Sequence, residues 1–342
     1  MARRVKNLSF DKLKKILYNY IVIKRHILVE RRKSMRNWKN VVYVEGYVFN
    51  ASLFENVTGP NSKTPGQTYI NGTVNVATDE DGINIVPVRY TFVTPTWKSG
   101  KENETYTILK SILNGAPTWE KDGKDKALKL RIQGDVEVND FMGRDGNMVE
   151  TKQIRGGFTH YAQDGFRDKR NDFETDMMIT NCRHMEVENG NDYTNIDGYV
   201  FNFRGDLIPV TYSITDPKGM EYFEGLDASV NQPYLTYVWG KIVSTTQKIE
   251  HQVETAWGAP KVEYTTRTLR MWQIEGCSPE SYPFDDESTI TKDEYRKGLQ
   301  AREQQKAEAK ARIDNRNNAF EPTPFDDSTA TPAAAAVSNF RF

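Results

Sequence analysis

The sequence predicts a mainly β protein: two tandem five-stranded barrels, then a charged, solvated helix and a disordered tail. Three observations predict it. Short runs alternate apolar and polar residues with the period of a strand. Four of these runs recur in the same order further along the chain. After Gly276 the apolar runs give way to Ala, Glu, Lys, Gln and Arg.

Residues 1–38 form a basic N-terminal segment. Within it, residues 8–30 have the spacing of a basic amphipathic helix, suited to a membrane surface or a nucleic acid. A second reading makes residues 1–34 a non-native extension. The run Glu30 to Met35 can be encoded by purine-rich codons of the kind that precede a bacterial start, which would make Met35 the true first residue. Strand-like alternation begins just after it. Residues 39–66 read as an extra strand pair around Val41–Phe49, closed by the turn Thr64-Pro65-Gly66.

The repeat then carries the fold. Ile70-Asn71-Gly72-Thr73-Val74 is answered by Ile196-Asp197-Gly198-Tyr199-Val200, and Val86-Pro87-Val88-Arg89-Tyr90 by Ile208-Pro209-Val210-Thr211-Tyr212. Leu130 to Gly134 is answered by Tyr237 to Gly240, and Gln153-Ile154-Arg155-Gly156 by Gln273-Ile274-Glu275-Gly276. Gly72 and Gly134 are 62 residues apart and Gly198 and Gly240 only 42, so the first copy carries an insertion, placed at 94–126. The recurring strand glycine suggests a bulge or sharp bend. Inside the insertion, Thr105–Leu113 has helical spacing. Five strands with one helix among them is the pattern of the OB barrel; an immunoglobulin-like sandwich would want about seven strands per module. The organisation is thus a first OB-like module at 39–165, a second at 166–280, a charged helix region at 281–316 and a disordered tail at 317–342. Thr289 or Thr291 caps the helix, which lacks an apolar stripe.

Composition bounds the function. No apolar run is long enough to span a membrane as a helix. Two cysteines, Cys182 and Cys277, give no disulfide framework, and a cytoplasmic setting (the host's, if the source is viral) is expected. The net charge of −1 hides an asymmetry: residues 1–34 hold 11 Lys and Arg against 2 Asp and Glu, leaving a net of −10 on the rest. Nothing points to catalysis, a cofactor or a metal. The four histidines are scattered, His184-Met185-Glu186 lacks the cysteine pair of a zinc deaminase, and no phosphate loop or nucleophile elbow is present.

What remains is aromatic and basic side chains interleaved on strands, the combination that stacks bases and tracks phosphates. The candidates in the first module are Arg89, Trp97, Lys98, Lys129, Arg131, Lys152, Arg155 and Phe158. In the second they are Tyr199, Phe203, Arg204, Tyr237, Trp239, Lys241, Arg267 and Arg270. Trp97, in a loop beside Lys98, and Trp239, beside Gly240-Lys241, stand out. Tyr90, Phe92 and Tyr212 share a strand face with valines and are expected in the core. The outward Arg and Lys side chains form either a binding face or ordinary solvated charge. In the tail, Phe325, Asp326, Asp327, Phe340 and Phe342 are candidate docking hooks for a protein partner.

The paired Ile-x-Gly-x-Val and Ile/Val-Pro-Val-x-Tyr strands, the charged helix and the Pro-, Ala- and Asp-bearing tail resemble a bacteriophage single-stranded-DNA-binding protein of OB type, over residues 39–277. That resemblance implies sequence-independent coating of single-stranded DNA in replication or recombination, with partner proteins recruited through the tail. The tail departs from the family pattern, because its acidic residues are internal and the chain ends Phe340-Arg341-Phe342. The alternative function is a β-module virion or assembly protein, which the acidic balance favours. Self-association is compatible with either.

Overall fold

The computed structural model describes residues 37–143, 147–167, 170–187, 192–253 and 261–319; for 245–253, 261–269 and 314–319 it describes the backbone only. The expectations for residues 1–36 and for the tail from 320 onward lie outside the described residues.

Ten strands make one sheet that closes on itself twice. The first five are β1 (Asn40–Val57), β2 (Thr68–Ala77), β3 (Ile85–Val93), β4 (Lys129–Met142) and β5 (Met148–Tyr161). β1 pairs with both β2 and β4, β2 with β3, and β5 with β4, all antiparallel. β3 meets β5 in parallel at Val88 and Ile154, which closes the ring. The second five are β6 (Asn171–Met185), β7 (Tyr193–Phe201), β8 (Leu207–Ile214), β9 (Tyr234–Val253) and β10 (Lys261–Cys277). They follow the same order, closed by β6 with β9 and by a parallel contact of Ser213 with Gln273. In each ring a helix follows the third strand: α1 (Glu104–Leu113) in the first, α3 (Pro217–Glu224) in the second. This is the OB barrel, present twice. A short helix, α2 (Trp119–Asp122), precedes β4, and α4 (Lys292–Ala319) follows the second barrel.

The residues explain the elements. α1 buries Ile108, Leu109 and Ile112 on one face. For α3, Asp216 accepts a hydrogen bond from Gly219 N at 2.8 Å and Pro217 occupies the first turn. That Asp-Pro start is a readable helix signal, and α3 is a helix outside the expectations drawn from the sequence. α4 begins with a capping box: Glu294 accepts from Thr291 N at 3.0 Å, and Glu294 N donates back to Thr291 Oγ1 at 3.3 Å. The strand glycine is explained by crowding. A Cβ on Gly198 would lie 2.0 Å from Met178 O, and one on Gly72, where φ is +132°, would lie 2.1 Å from Ser52 O. The matched strands sit two residues out of step: Val74 faces Val88, whereas Val200 faces Ile208. A slide of two keeps every side chain on its own face, so the pattern survives in the sequence.

Three expectations change. Residues 41–49 belong to one continuous strand, β1, which is the first strand of the barrel and not a separate pair. Its start also pairs with β6 from Asn40–Thr175 to Val44–Asn171, so β1 is shared by the two barrels. Tyr90 and Tyr212 are buried as expected, but Phe92 is 48% exposed. The register of β2 and β3 breaks between Ile70 and Gly72, with Gly72 facing Tyr90 and Ile70 facing Val93. That extra residue on β3 inverts the alternation, so Val93 turns in and Phe92 out. Finally, α4 is largely solvated, yet its first turns are anchored. Tyr295 is buried against Phe284 and Tyr199, and Arg302 holds Asp140 and Glu150 of the first barrel's β4–β5 hairpin.

Candidate nucleic-acid interface

Three exposed aromatic side chains of the first barrel, Phe92, Trp97 and Phe158, come together from three elements. Phe92 leaves β3 through the register break just described. Trp97 rides a tight turn: Trp97 N donates to Lys101 O at 2.8 Å and Gly100 N to Trp97 O at 2.9 Å, with Lys98 exposed at the tip. Phe158 follows a bulge in β5, where Gln133 faces Phe158 but Gly134 faces Gly156. The start of α1 stitches that bulge down, since Thr105 Oγ1 donates to Gly157 O at 3.2 Å and accepts from Thr159 N at 3.0 Å. Thr159 therefore points inward, fully buried, and Phe158 outward. The Trp97 and Phe158 rings lie 5.8 Å apart, and Phe92 packs on Tyr69 at 4.5 Å. Phe92, Trp97 and Phe158 line one open groove of about 400 Å³ together with Arg155.

Arg155 carries this surface toward the second barrel. Its guanidinium lies 5.7 Å from the ring of Phe203, and Arg204 lies 5.1 Å from the same ring. Phe203 is 73% exposed, with no apolar cover to explain it. The charge of Arg155 is partly offset, because Nε donates to Asp135 at 2.9 Å and Glu137 is 3.9 Å away. A second aromatic pair stands on β9: Tyr237 and Trp239 are 5.5 Å apart, with Lys39 5.5 Å from the Tyr237 ring. The Trp239 ring packs against Gly276, where a Cβ would come within 2.4 Å of it.

The other sequence candidates are dispersed. Arg131 makes a two-point bond to the buried Glu45, at 3.1 and 3.0 Å, so its charge is spent inside a groove of about 840 Å³ that also holds Phe158 and His160. Lys129 covers the rings of Tyr47 and Phe166 at 5.4 and 5.6 Å. Lys241 pairs with Glu275 at 3.4 Å. Tyr199 packs against Tyr295 of α4. Arg89, Lys152 and Arg270 come together at a cavity between the barrels. Arg267 lies on β10, where only the backbone is described, and Phe325, Asp326, Asp327, Phe340 and Phe342 lie outside the described residues. Tyr69 and Lys39 are absent from the sequence candidates, and Phe92 is expected from the sequence to lie in the core. For Phe92 the only hint was Gly72 in the partner strand, a residue that permits the break.

Among the described residues no three His, Cys, Asp or Glu side chains are placed to hold a metal. His184 instead bonds to Glu224 at 2.9 Å, and that carboxylate raises its pKa. Neither cysteine is in a disulfide, and burial pushes the Cys182 thiol up to about 11. No described helix is long and apolar enough to cross a membrane.

Among solved structures, a deletion mutant of the single-stranded DNA binding protein from Thermus aquaticus is 15% identical, with a TM-score of 0.43 over 73% of this chain and 98% of that one. The wild-type protein from the same organism is 14% identical, with a TM-score of 0.43 over 72% and 96%. No curated protein matches the chain. A family profile, described as YorF, matches residues 39–312, so the chain belongs to the YorF family.

Proposed function

We propose that this protein binds single-stranded DNA without sequence preference, by stacking bases on exposed aromatics and placing cations beside the strand. The observation that supports it most is the run Phe92, Trp97, Phe158, Arg155, Phe203 and Arg204, which crosses from one OB barrel to the next. Open rings beside guanidinium groups cost solubility and give nothing to the core, and they suit a base-stacking platform. Each stacked base is worth about 1–3 kcal/mol. The reading accommodates the acidic balance because cations need only be local: Lys98 and Arg204 have no carboxylate partner among the described residues. A role in phage replication or recombination, in the host cytoplasm and with no catalysis of its own, rests on the sequence resemblance over residues 39–277. A β-module assembly protein is the second reading, favoured by the carboxylates that hold Arg131 and Arg155.

The test is fluorescence anisotropy of a labelled oligo-dT across a salt series, with duplex competitor. Tight binding that weakens steeply with salt and ignores duplex supports the reading, because phosphate contacts release counterions. No binding at low salt removes it and leaves assembly, to be sought in purified particles.

A further inference from the structure

Between the two barrels lies a cavity of about 370 Å³, walled by β2, β3 and β5 on one side and by β9 and β10 on the other. Its charged lining is all cationic: Arg89, Lys152 and Arg270 reach it beside the neutral Thr73, Thr151 and Gln153, and no carboxylate does. In a region whose net charge is −10, three cations gathered around an opening without an acid call for a reason. Lys152 is the centre of it. Its stem is partly accessible, but its ammonium is enclosed, and it donates to Thr211 O across the barrel boundary. The rings of Tyr212 and Trp272 lie 5.9 and 5.8 Å from Nζ. Nearby Asp197 favours its charge, but that carboxylate is already committed to Arg183 at 2.7 Å and Thr211 at 2.7 Å. Neither the Arg89 nor the Arg270 side chain has a hydrogen-bond or ion-pair partner among the described residues.

A buried ammonium with one backbone acceptor is expensive to keep. An anion in the cavity would satisfy its remaining donors and offset the repulsion among the three cations. We infer that this inter-barrel cavity is a binding site for a phosphate group, held by Lys152 with Arg89 and Arg270. The group comes either from the backbone of a nucleic-acid strand or from a small phosphorylated molecule. The site is separate from the aromatic surface of Phe92, Trp97 and Phe158, so it stands whether or not bases stack there. A phosphate bridging β5 to β10 would also tie the two barrels together.

The test uses the full chain, Lys152→Met and Arg270→Gln. Lys152→Met keeps the length of the stem, and Arg270→Gln alters an exposed residue, so at least one variant should fold. Melting is followed with sodium phosphate or pyrophosphate against sodium chloride at equal ionic strength. The unaltered protein should melt about 2–4 °C higher with phosphate at roughly ten times its dissociation constant, and both variants should lose that shift. Oligo-dT anisotropy then separates the sources. Unchanged oligonucleotide affinity in variants that have lost the phosphate shift assigns the site to a small phosphorylated molecule. Weaker affinity with a salt slope lower by about 1 assigns it to the strand. If phosphate stabilises the variants as well as the unaltered protein, or nothing, and oligonucleotide affinity is also unchanged, the inference fails.

Discussion

The two barrels share a strand order but not the use of their outer faces. On β4 of the first, the outward side chains are Arg131 and Gln133, and Arg131 is locked to Glu45. On β9 of the second, the outward neighbours are Tyr237 and Trp239. The first barrel shows its aromatics elsewhere, on the Trp97 turn and the β5 bulge. The hairpins differ as well. The first barrel's β4–β5 hairpin leans on the second barrel and is clamped by α4, while the β9–β10 hairpin continues as a two-stranded ribbon from Ser244–Arg270 to Val253–Lys261. A barrel fixes where strands run. Its bulges and turns decide which of their side chains meet a ligand.

The clamp gives the largest expected effect. Arg302 donates to Asp140 at 2.7 Å and to Glu150 at 3.1 Å, and it is almost fully buried. Arg302→Ala takes from Asp140 its buried partner, leaves Glu150 to Lys306 alone and should cost about 3–5 kcal/mol, seen as a lower urea midpoint. Lys306→Ala, whose partner Glu150 is 2.6 Å away but more open, should cost under about 1 kcal/mol. Equal losses would mean the hairpin does not depend on the buried arginine.

The aromatic comparison comes next. Replacing Trp97 and Phe158 together by Ala should weaken oligo-dT binding about thirtyfold or more. Replacing Tyr237 and Trp239 should cost about tenfold, since Trp239 is partly covered against Gly276. Anisotropy on both variants decides whether one barrel or two holds the strand; no loss in the first variant would sink the stacking reading.

A third effect lies in pH. Burial lowers the pKa of Lys152 from an ordinary 10.5 to about 8, with Asp197 opposing. Between those values the unfolded chain holds a proton that the folded chain has released, so stability rises with pH across that window. The other charged groups that face the same cavity are Arg89 and Arg270. Measured against Lys152→Met, the wild-type protein should therefore gain about 1–2 kcal/mol between pH 8 and 10.5, the stem's access to water limiting the gain. A flat difference would place the ammonium in solvent. The smallest effect is Arg204→Ala, which should lower the salt slope of oligonucleotide binding by about 1 and leave stability unchanged.

By itself the sequence determined the mainly β class, four of the five strands of each barrel and the helix Thr105–Leu113, because strand alternation, helical spacing and turn residues are local properties; β6 escaped it and β1 looked like a separate pair. It also named Trp97, Phe158 and Phe203 as stacking candidates. Only the tertiary structure decided that Phe92 faces outward, because the register break that turns it is set by the partner strand. The same holds for the charges. Arg131, Arg155 and Lys152 look alike in sequence, and what separates them is a neighbour far away in the chain: Glu45, Asp135 and Thr211. An ionic side chain's role depends on which carboxylate or carbonyl the fold brings within 3 Å or so, and that distance is not written in any local run of residues.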